Sequence, residues 1–223
     1  MLTDYAFVLH RYPYRETSFI AELLTQHQGR ISVVCKGAQR PKSPLKGLLQ
    51  AFTPLVIHAQ GQRCLKTLTL AEAVGPPIHL VYTELISGLY MNELLMRLLP
   101  KEESCETLFA VYRAGLLDMS ERSLRIFEHQ LLKTLGYALP LQHIDPCQAY
   151  LFITEHGFEP CLVNMQGRPN YFLGQHLCAI ARADYGEMST LVAAKRLMRL
   201  AFQPLLGNKP LRSRELFFIV STK

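Results

Sequence analysis

Alternation of apolar and polar side chains dominates the first third of the chain, and a three- to four-residue period dominates the remainder. Five short runs carry the strand pattern, at 5–11, 17–26, 30–36, 53–60 and 63–74. Phe7 and Leu9, like Ile31 and Val33, are two apart, as one face of a strand requires. Tyr12-Pro13-Tyr14, Gln28-Gly29 and Gly61-Gln62 break the runs with turn chemistry. A longer stretch, 37–52, separates the third run from the fourth and holds Pro41, Pro44 and Gly47. Five short strands with an insertion between the third and fourth fit a small Greek-key barrel of the OB type; an SH3-like barrel gives a similar pattern.

Gly75-Pro76-Pro77 stops the last run and divides the chain into a barrel domain, 1–78, and a mainly helical domain, 79–223. Leu85, Ile86, Leu89, Tyr90, Leu94, Leu95, Leu98 and Leu99 line one helix face up to Pro100. A second helix is predicted over 107–119 and a third over 124–135, closed by Gly136. Residues 147–174 lose the helical period and predict a small irregular β insertion. Ser189 or Thr190 is placed to cap a helix running to about Gln203, and Ser213 to cap a last one from Arg214. The expected fold class is α+β.

Charge then narrows the function. The 223 residues carry a net +6 with only 19% charged and 49% hydrophobic, which excludes a disordered polybasic tail. The charge is uneven: +5 over 1–80, −4 over 81–185 and +5 over 186–223. Two basic ends flanking an acidic middle favour a polyanionic partner. No run approaches the roughly 18 apolar residues of a membrane span. The start, Met1-Leu2-Thr3-Asp4, lacks the basic region of a signal peptide. The six cysteines form no C-x-x-C pair, so the reducing cytoplasm is the expected home. Cys147, Cys161 and Cys178 with His143, His156 or His176 offer one zinc constellation; separated cysteines of this kind are ordinarily small buried apolar residues, and no metal or other cofactor is expected.

No phosphate-cradling, zinc-protease or nucleophile-elbow motif is present, and Glu102, Glu103 and Glu106 read as a solvated helix start, so no enzyme activity is expected. The chemistry present is that of binding. Arg30, Lys36, Arg40, Lys42 and Lys46 lie in or beside the proline-interrupted insertion, and Arg11 and Arg15 lie near the first inter-strand turn. Lys and Arg there can follow a phosphate backbone. Tyr12 and Tyr14 are candidates for stacking on unpaired bases, while Phe19 and Phe52 read as core. A second basic set is Lys195, Arg196 and Arg199 on one helix, then Lys209, Arg212 and Arg214. An OB-type RNA-binding or ribosome-associated factor fits these features as well as a DNA-binding protein does, and an enzyme with a dispersed active site is the rival class.

Particular residues carry a resemblance. Ala6-Phe7-Val8-Leu9, Arg15-Glu16-Thr17-Ser18, Gly29-Arg30, Val34-Cys35-Lys36-Gly37-Ala38, Leu45-Lys46-Gly47 and Leu49-Gln50-Ala51-Phe52-Thr53-Pro54-Leu55 succeed one another in the first domain. Ser87-Gly88-Leu89-Tyr90, Asn92-Glu93-Leu94-Leu95, Leu124-Arg125, Phe127-Glu128, Leu135-Gly136-Tyr137, Ala193-Ala194-Lys195-Arg196 and 207–216 continue the series in the second. In this order they resemble the RecO family of bacterial recombination mediators over nearly the whole chain. The resemblance implies a non-catalytic protein that binds single- and double-stranded DNA and anneals complementary strands. It also implies engagement of the C-terminal tail of the single-strand binding protein SSB, and cooperation with RecR in loading the RecA recombinase. Association with the nucleoid accompanies such a role. Some members carry a four-cysteine zinc finger, and this sequence lacks its paired cysteines. The DNA contacts expected are Arg15, Arg30, Lys36, Arg40, Lys42 and Lys46, with Lys195, Arg196, Arg199, Lys209, Arg212 and Arg214 as a second surface. A tail pocket with an apolar wall and a basic rim is expected at Leu124, Arg125, Phe127 and Leu132.

Overall fold

The computed structural model describes residues 1–61, 64–162, 165 and 167–220. Five strands close a barrel: β1 (Leu2–Tyr14), β2 (Ser18–Thr25), β3 (Gly29–Cys35), β4 (Leu55–Gln60) and β5 (Leu65–Ala73), with α1 (Pro44–Leu48) between β3 and β4. The order around the barrel is β1-β2-β3-β5-β4, with β4 returning to β1. All neighbours are antiparallel except β3 and β5. This is the OB-type topology the strand spacing predicts. Ala6, Val8, Ala21, Leu23, Ile31, Val33, Leu55 and Ile57 fill the interior, each almost completely buried.

One irregularity sets what the barrel displays. The β1–β2 register slips between Val8 and His10, leaving Leu9 as a bulge. A bulge inverts the two-residue alternation beyond it. Before the slip, Ala6 and Val8 face the interior; after it, Arg11 pairs with Ala21 and Pro13 with Phe19, on the interior face at the barrel mouth. A bulge leaves a backbone carbonyl without a ladder partner. Asn92 supplies one, donating from Nδ2 to the Leu9 carbonyl at 3.2 Å, and the Tyr112 hydroxyl donates to Asn92 Oδ1 at 2.6 Å. Burial pushes the Tyr112 hydroxyl pKa up, so it stays a donor.

By packing, the chain forms two compact units, Met1–Met119 with Leu211–Lys223, and Ser120–Pro210. The first holds the barrel, α2 (Thr83–Leu98), α3 (Glu106–Leu117) and the returning α7 (Arg212–Val220). Phe7 from β1 meets Phe109 and Tyr112 of α3 at ring separations of 5.8 and 5.5 Å. Glu93 on α2 caps α7, accepting the backbone N–H groups of Arg212 and Ser213 at 2.9 Å each and the Ser213 hydroxyl at 2.6 Å. The Asn92-Glu93 pair therefore ties α2 to the barrel on one side and to the last helix on the other.

The second unit holds α4 (Glu121–Thr134), β6 (Ala149–Ile153), β7 (Gly157–Cys161), β8 (Tyr171–Leu173), α5 (Gly174–Ala181) and α6 (Met188–Leu206). The three strands form one sheet in the order β7-β6-β8, the expected small β insertion. The α4 helix starts with Ser120 accepting from the Ser123 N–H and stops at Gly136, whose φ of 82° and neighbouring Tyr137-to-Leu132 bond make a Schellman end.

Three details differ from the sequence pattern. The α5 helix has no counterpart among the predicted elements. The α6 helix starts at Met188 with no side-chain cap and runs through Pro204 to Leu206. The insertion between β3 and β4 is not wholly irregular, since Pro44 occupies the first turn of α1 and its ring suits that position. The start of the run expected from Arg63, and part of the β insertion expected over 147–174, fall outside the described residues.

Candidate nucleic-acid interface

Two buried apolar residues shape the basic insertion. Ala38 and Leu49 are both fully buried in the barrel core, so the ten residues between them, 39–48, arch over the outside as a strap. Backbone bonds hold its first half: Gln39 N–H to the Thr17 carbonyl at 2.9 Å and Gly37 N–H to Ser18 Oγ at 3.3 Å. The Gln39 side chain adds a bond from Nε2 to the Ser18 carbonyl at 2.5 Å. Short turns come next, Arg40 N–H to Gly37 and Ser43 N–H to Arg40, and lead into α1.

The strap and the β1–β2 turn border one open groove of about 790 Å³, lined by Arg15, Ser18, Val34, Lys36, Arg40 and Thr67 among others. Arg15 has a left-handed backbone, φ 54°, and its guanidinium lies 5.2 Å from the Tyr14 ring centroid. A non-glycine residue held there marks a turn determined by its surroundings. Arg15, Lys36, Arg40, Lys42 and Lys46 are all exposed, and none has a carboxylate partner among the described residues. Arg15, Lys36 and Arg40 line this groove beside a single acidic residue, Glu16; cations gathered in this way repel one another, and an anion relieves that repulsion. A second hollow of about 320 Å³ adjoins the strap, lined by Arg11, Tyr12, Pro13, Phe19, Gln39, Lys46 and Gln50.

Arg30 is not in this rim. Its side chain is 14% exposed, donating from Nε to the Leu99 carbonyl at 2.8 Å and from Nη1 to Glu22 at 3.3 Å. Glu22 is a buried carboxylate that also accepts Ser32 Oγ at 2.5 Å and Lys101 Nζ at 3.1 Å. Here the sequence expectation is corrected: Arg30 neutralises a buried acid and ties β3 to the end of α2. Gly29 beside it has a φ of 64°, and a Cβ there would lie 1.8 Å from the Glu103 carbonyl oxygen, so only glycine fits.

The second basic set is divided between the two units. Lys195, Arg196, Arg199 and Lys209 belong to the second unit, and Arg212 and Arg214 to the first. Arg196 is half-buried and engaged within its own unit. It donates from Nη2 to the Tyr171 carbonyl and lies 4.6 Å over the Phe172 ring, and burial lowers its pKa. Arg214 lies 5.8 Å over the Tyr90 ring. Lys195 pairs with Glu121 at 3.2 Å, both about half exposed, an interaction of little strength. Arg199 and Arg212 are exposed.

The expected tail pocket is also corrected. Leu124, Phe127 and Leu132 are 6%, 0% and 1% exposed, and Arg125 is buried against Glu128 at 2.7 Å. These side chains make a closed core around an ion pair and present no open apolar wall.

Arg11, Gln39 and Gln50 organise the strap, a role that sequence spacing does not signal. Their partners are backbone carbonyls and an amide brought near by the bulge and the strap anchors. A roomier hollow of about 840 Å³ lies beside the 74–80 segment, lined by Pro54, Val74, Pro76, Ile78 and Leu116 among others, with Arg113 its single Lys or Arg. It lacks the charge density of a phosphate site.

Two of the thiols are shut away in the core. Burial pushes the Cys35 thiol up to about 12 and the Cys105 thiol up to about 11, so both stay protonated and inert at neutral pH. Among the described residues no three His, Cys, Asp or Glu side chains are grouped to hold a metal ion. Among them, too, no helix is long and apolar enough to cross a membrane.

Comparison with known proteins agrees with the barrel. Residues 1–77 match the family model described as Recombination protein O N terminal, and residues 79–215 match Recombination protein O C terminal. The chain is similar to proteins named DNA repair protein RecO from three bacteria. It is 42% identical to that of Actinobacillus succinogenes, over 95% of this chain and 93% of that one. The identity is 44% with the protein of Nitrosospira multiformis and 43% with that of Pasteurella multocida, each over 95% of this chain and 92% of the other. With both terminal models matched in sequence and the OB-type barrel present, the chain belongs to the RecO family of DNA repair proteins.

Proposed function

We propose that this chain is a non-catalytic recombination mediator: it binds DNA, anneals complementary strands and helps load the RecA recombinase onto SSB-coated single strands. The observation that carries this reading is a set of exposed cations without ion-pair partners among the described residues: Arg15, Lys36 and Arg40 line one groove of an OB-type barrel, and Lys42 and Lys46 follow on the strap beside it. Annealing requires two polyanions to approach. Each phosphate neutralised by Lys or Arg releases condensed counterions, and that release drives association without reading sequence. Base pairing then selects the partner strand. Lys195, Arg199 and Lys209 in one unit, and Arg212 and Arg214 in the other, remain candidates for further DNA contacts, while Arg30 and Arg196 are engaged by the fold.

RecR and the SSB tail are the protein partners in this reading. The tail is not assigned to Leu124, Arg125, Phe127 and Leu132, because that cluster is closed. The test is annealing of complementary DNA strands by the purified chain, with naked and with SSB-coated strands. Faster annealing than the spontaneous rate on both substrates is expected. No acceleration on either would overturn the proposal, and measurable strand cleavage or ATP hydrolysis would overturn its non-catalytic part.

A further inference from the structure

The strap that carries Arg40, Lys42 and Lys46 is fixed at its first half by hydrogen bonds from Gly37 and Gln39 to Thr17 and Ser18. Its second half packs Leu45 and Leu48 against the barrel core and is tied down by the side chains of Arg11 and Gln50. Arg11 donates from Nη1 to the Lys46 carbonyl at 3.3 Å and from Nη2 to Gln50 Oε1 at 3.1 Å. Gln50 Nε2 in turn donates to the same Lys46 carbonyl at 2.8 Å. The guanidinium lies 5.2 Å from the Phe19 ring centroid, at the barrel mouth. Both of its amino groups are therefore occupied by the strap, and one face is turned to an aromatic ring.

Arg11 reaches this place because of the bulge at Leu9. Without the slip, Arg11 would fall on the outer face and Tyr12 on the inner one. The chain Tyr112, Asn92, Leu9, Arg11, Lys46 thus runs from the helices to the strap through three hydrogen bonds and one strand register. We propose that Arg11 is a positioning residue: its forked guanidinium holds residues 46–50, and so the basic strap, in the shape that meets a phosphate backbone. This rests on the reading of the groove as the DNA site. A lysine cannot replace it, because an ammonium lacks the planar fork that spans a carbonyl and an amide oxygen while stacking on a ring.

The test compares the full chain with Arg11→Lys, Arg11→Met and the double variant Lys36→Glu/Arg40→Glu. The probe is a fluorescently labelled thirty-nucleotide dT strand, titrated over a range of salt concentrations. Hydrogen exchange of residues 37–50 is monitored in the free proteins. Both Arg11 variants are expected to weaken binding roughly tenfold, comparable to the cost of ordering about one residue. Amides of 37–50 should exchange faster in both, with β2 and β3 amides unchanged. A direct phosphate contact gives another pattern: Arg11→Lys binds like the parent, and Arg11→Met lowers the salt slope by about 0.7 with strap exchange unaltered. That pattern overturns the proposal, and so does unchanged affinity in both Arg11 variants. Lys36→Glu/Arg40→Glu tests the groove itself; if it binds the strand as tightly as the parent, the reading of the groove fails and not the role of Arg11 alone. Faster exchange throughout the barrel in Arg11→Met, with Arg11→Lys like the parent, reduces Arg11 to a packing residue and also overturns the proposal.

Discussion

Two groups of cations lie in the first unit and have opposite fates. Arg30 and Lys101 converge on the buried Glu22 carboxylate, with Ser32 as a further donor. Arg40, Lys42 and Lys46, on the strap after β3, form no ion pair among the described residues and remain exposed. The first group is a latch and the second a rim. The difference lies in the neighbouring acid. A buried carboxylate is costly unless paired, so it captures the nearest guanidinium for the fold. Where no acid is buried, the cations stay hydrated and available to an outside anion. Net positive charge along a stretch of sequence is therefore an upper bound on its binding surface.

The same contrast holds in the second unit, where Arg125 and Glu128 are paired inside α4 while Arg199 is exposed. Arg125→Ala should be the most damaging of the latch-type changes. It leaves Glu128 buried without its guanidinium, and thermal or urea unfolding should show a loss of about 3–5 kcal/mol. A loss below about 1 kcal/mol would show that the pair is hydrated in solution and that burial does not separate it from Arg199. Arg30→Ala should cost less, about 2–3 kcal/mol, because Lys101 still partners Glu22. Unfolding of this variant with unchanged DNA affinity at a temperature where it is folded sharpens the comparison; wild-type stability with weakened DNA binding breaks it.

Smaller and more local is the effect of alkali. The Cys35 thiol, raised to about 12 by burial, holds its proton in the folded state well above the ordinary thiol value. Its contribution to stability is complete below the unfolded value near 9 and is lost as the pH climbs towards 12. At pH 8 a thiol reagent should modify the exposed Cys64 and Cys147 promptly and leave Cys35 untouched until the barrel unfolds. Prompt labelling of Cys35 at that pH would show that the barrel interior opens readily.

The barrel is legible in the sequence because its strands alternate and its breaks carry Gly and Pro. The length of the insertion after β3, and the basic residues in it, are equally plain. The fate of individual cations is not. Glu22 reads as an ordinary polar position in an alternating strand, and only closure of the barrel shows that it is buried beneath Arg30. Arg196 looks like its neighbours Lys195 and Arg199, yet Tyr171 and Phe172, which hold it, are about 25 residues away. The pocket expected at Leu124, Arg125, Phe127 and Leu132 fails for a related reason. An apolar helix face beside an arginine looks the same in sequence whether it is open or covered, and here Glu128 completes the buried pair. The α5 helix leaves little trace because it has only eight residues and starts at a glycine. Gly174 is required there by close packing, since a Cβ would lie 2.0 Å from the Asp145 carbonyl oxygen.

The separation of latch from rim is tested most directly by the salt dependence of binding to a single DNA strand, compared among the parent chain, Lys42→Glu/Lys46→Glu and Arg30→Ala. Loss of two phosphate contacts should reduce the slope of log affinity against log salt by about 1.4 in the strap variant, with weaker binding throughout. The slope of Arg30→Ala should equal that of the parent. An unchanged slope in the strap variant, or an equal reduction in Arg30→Ala, would contradict the account.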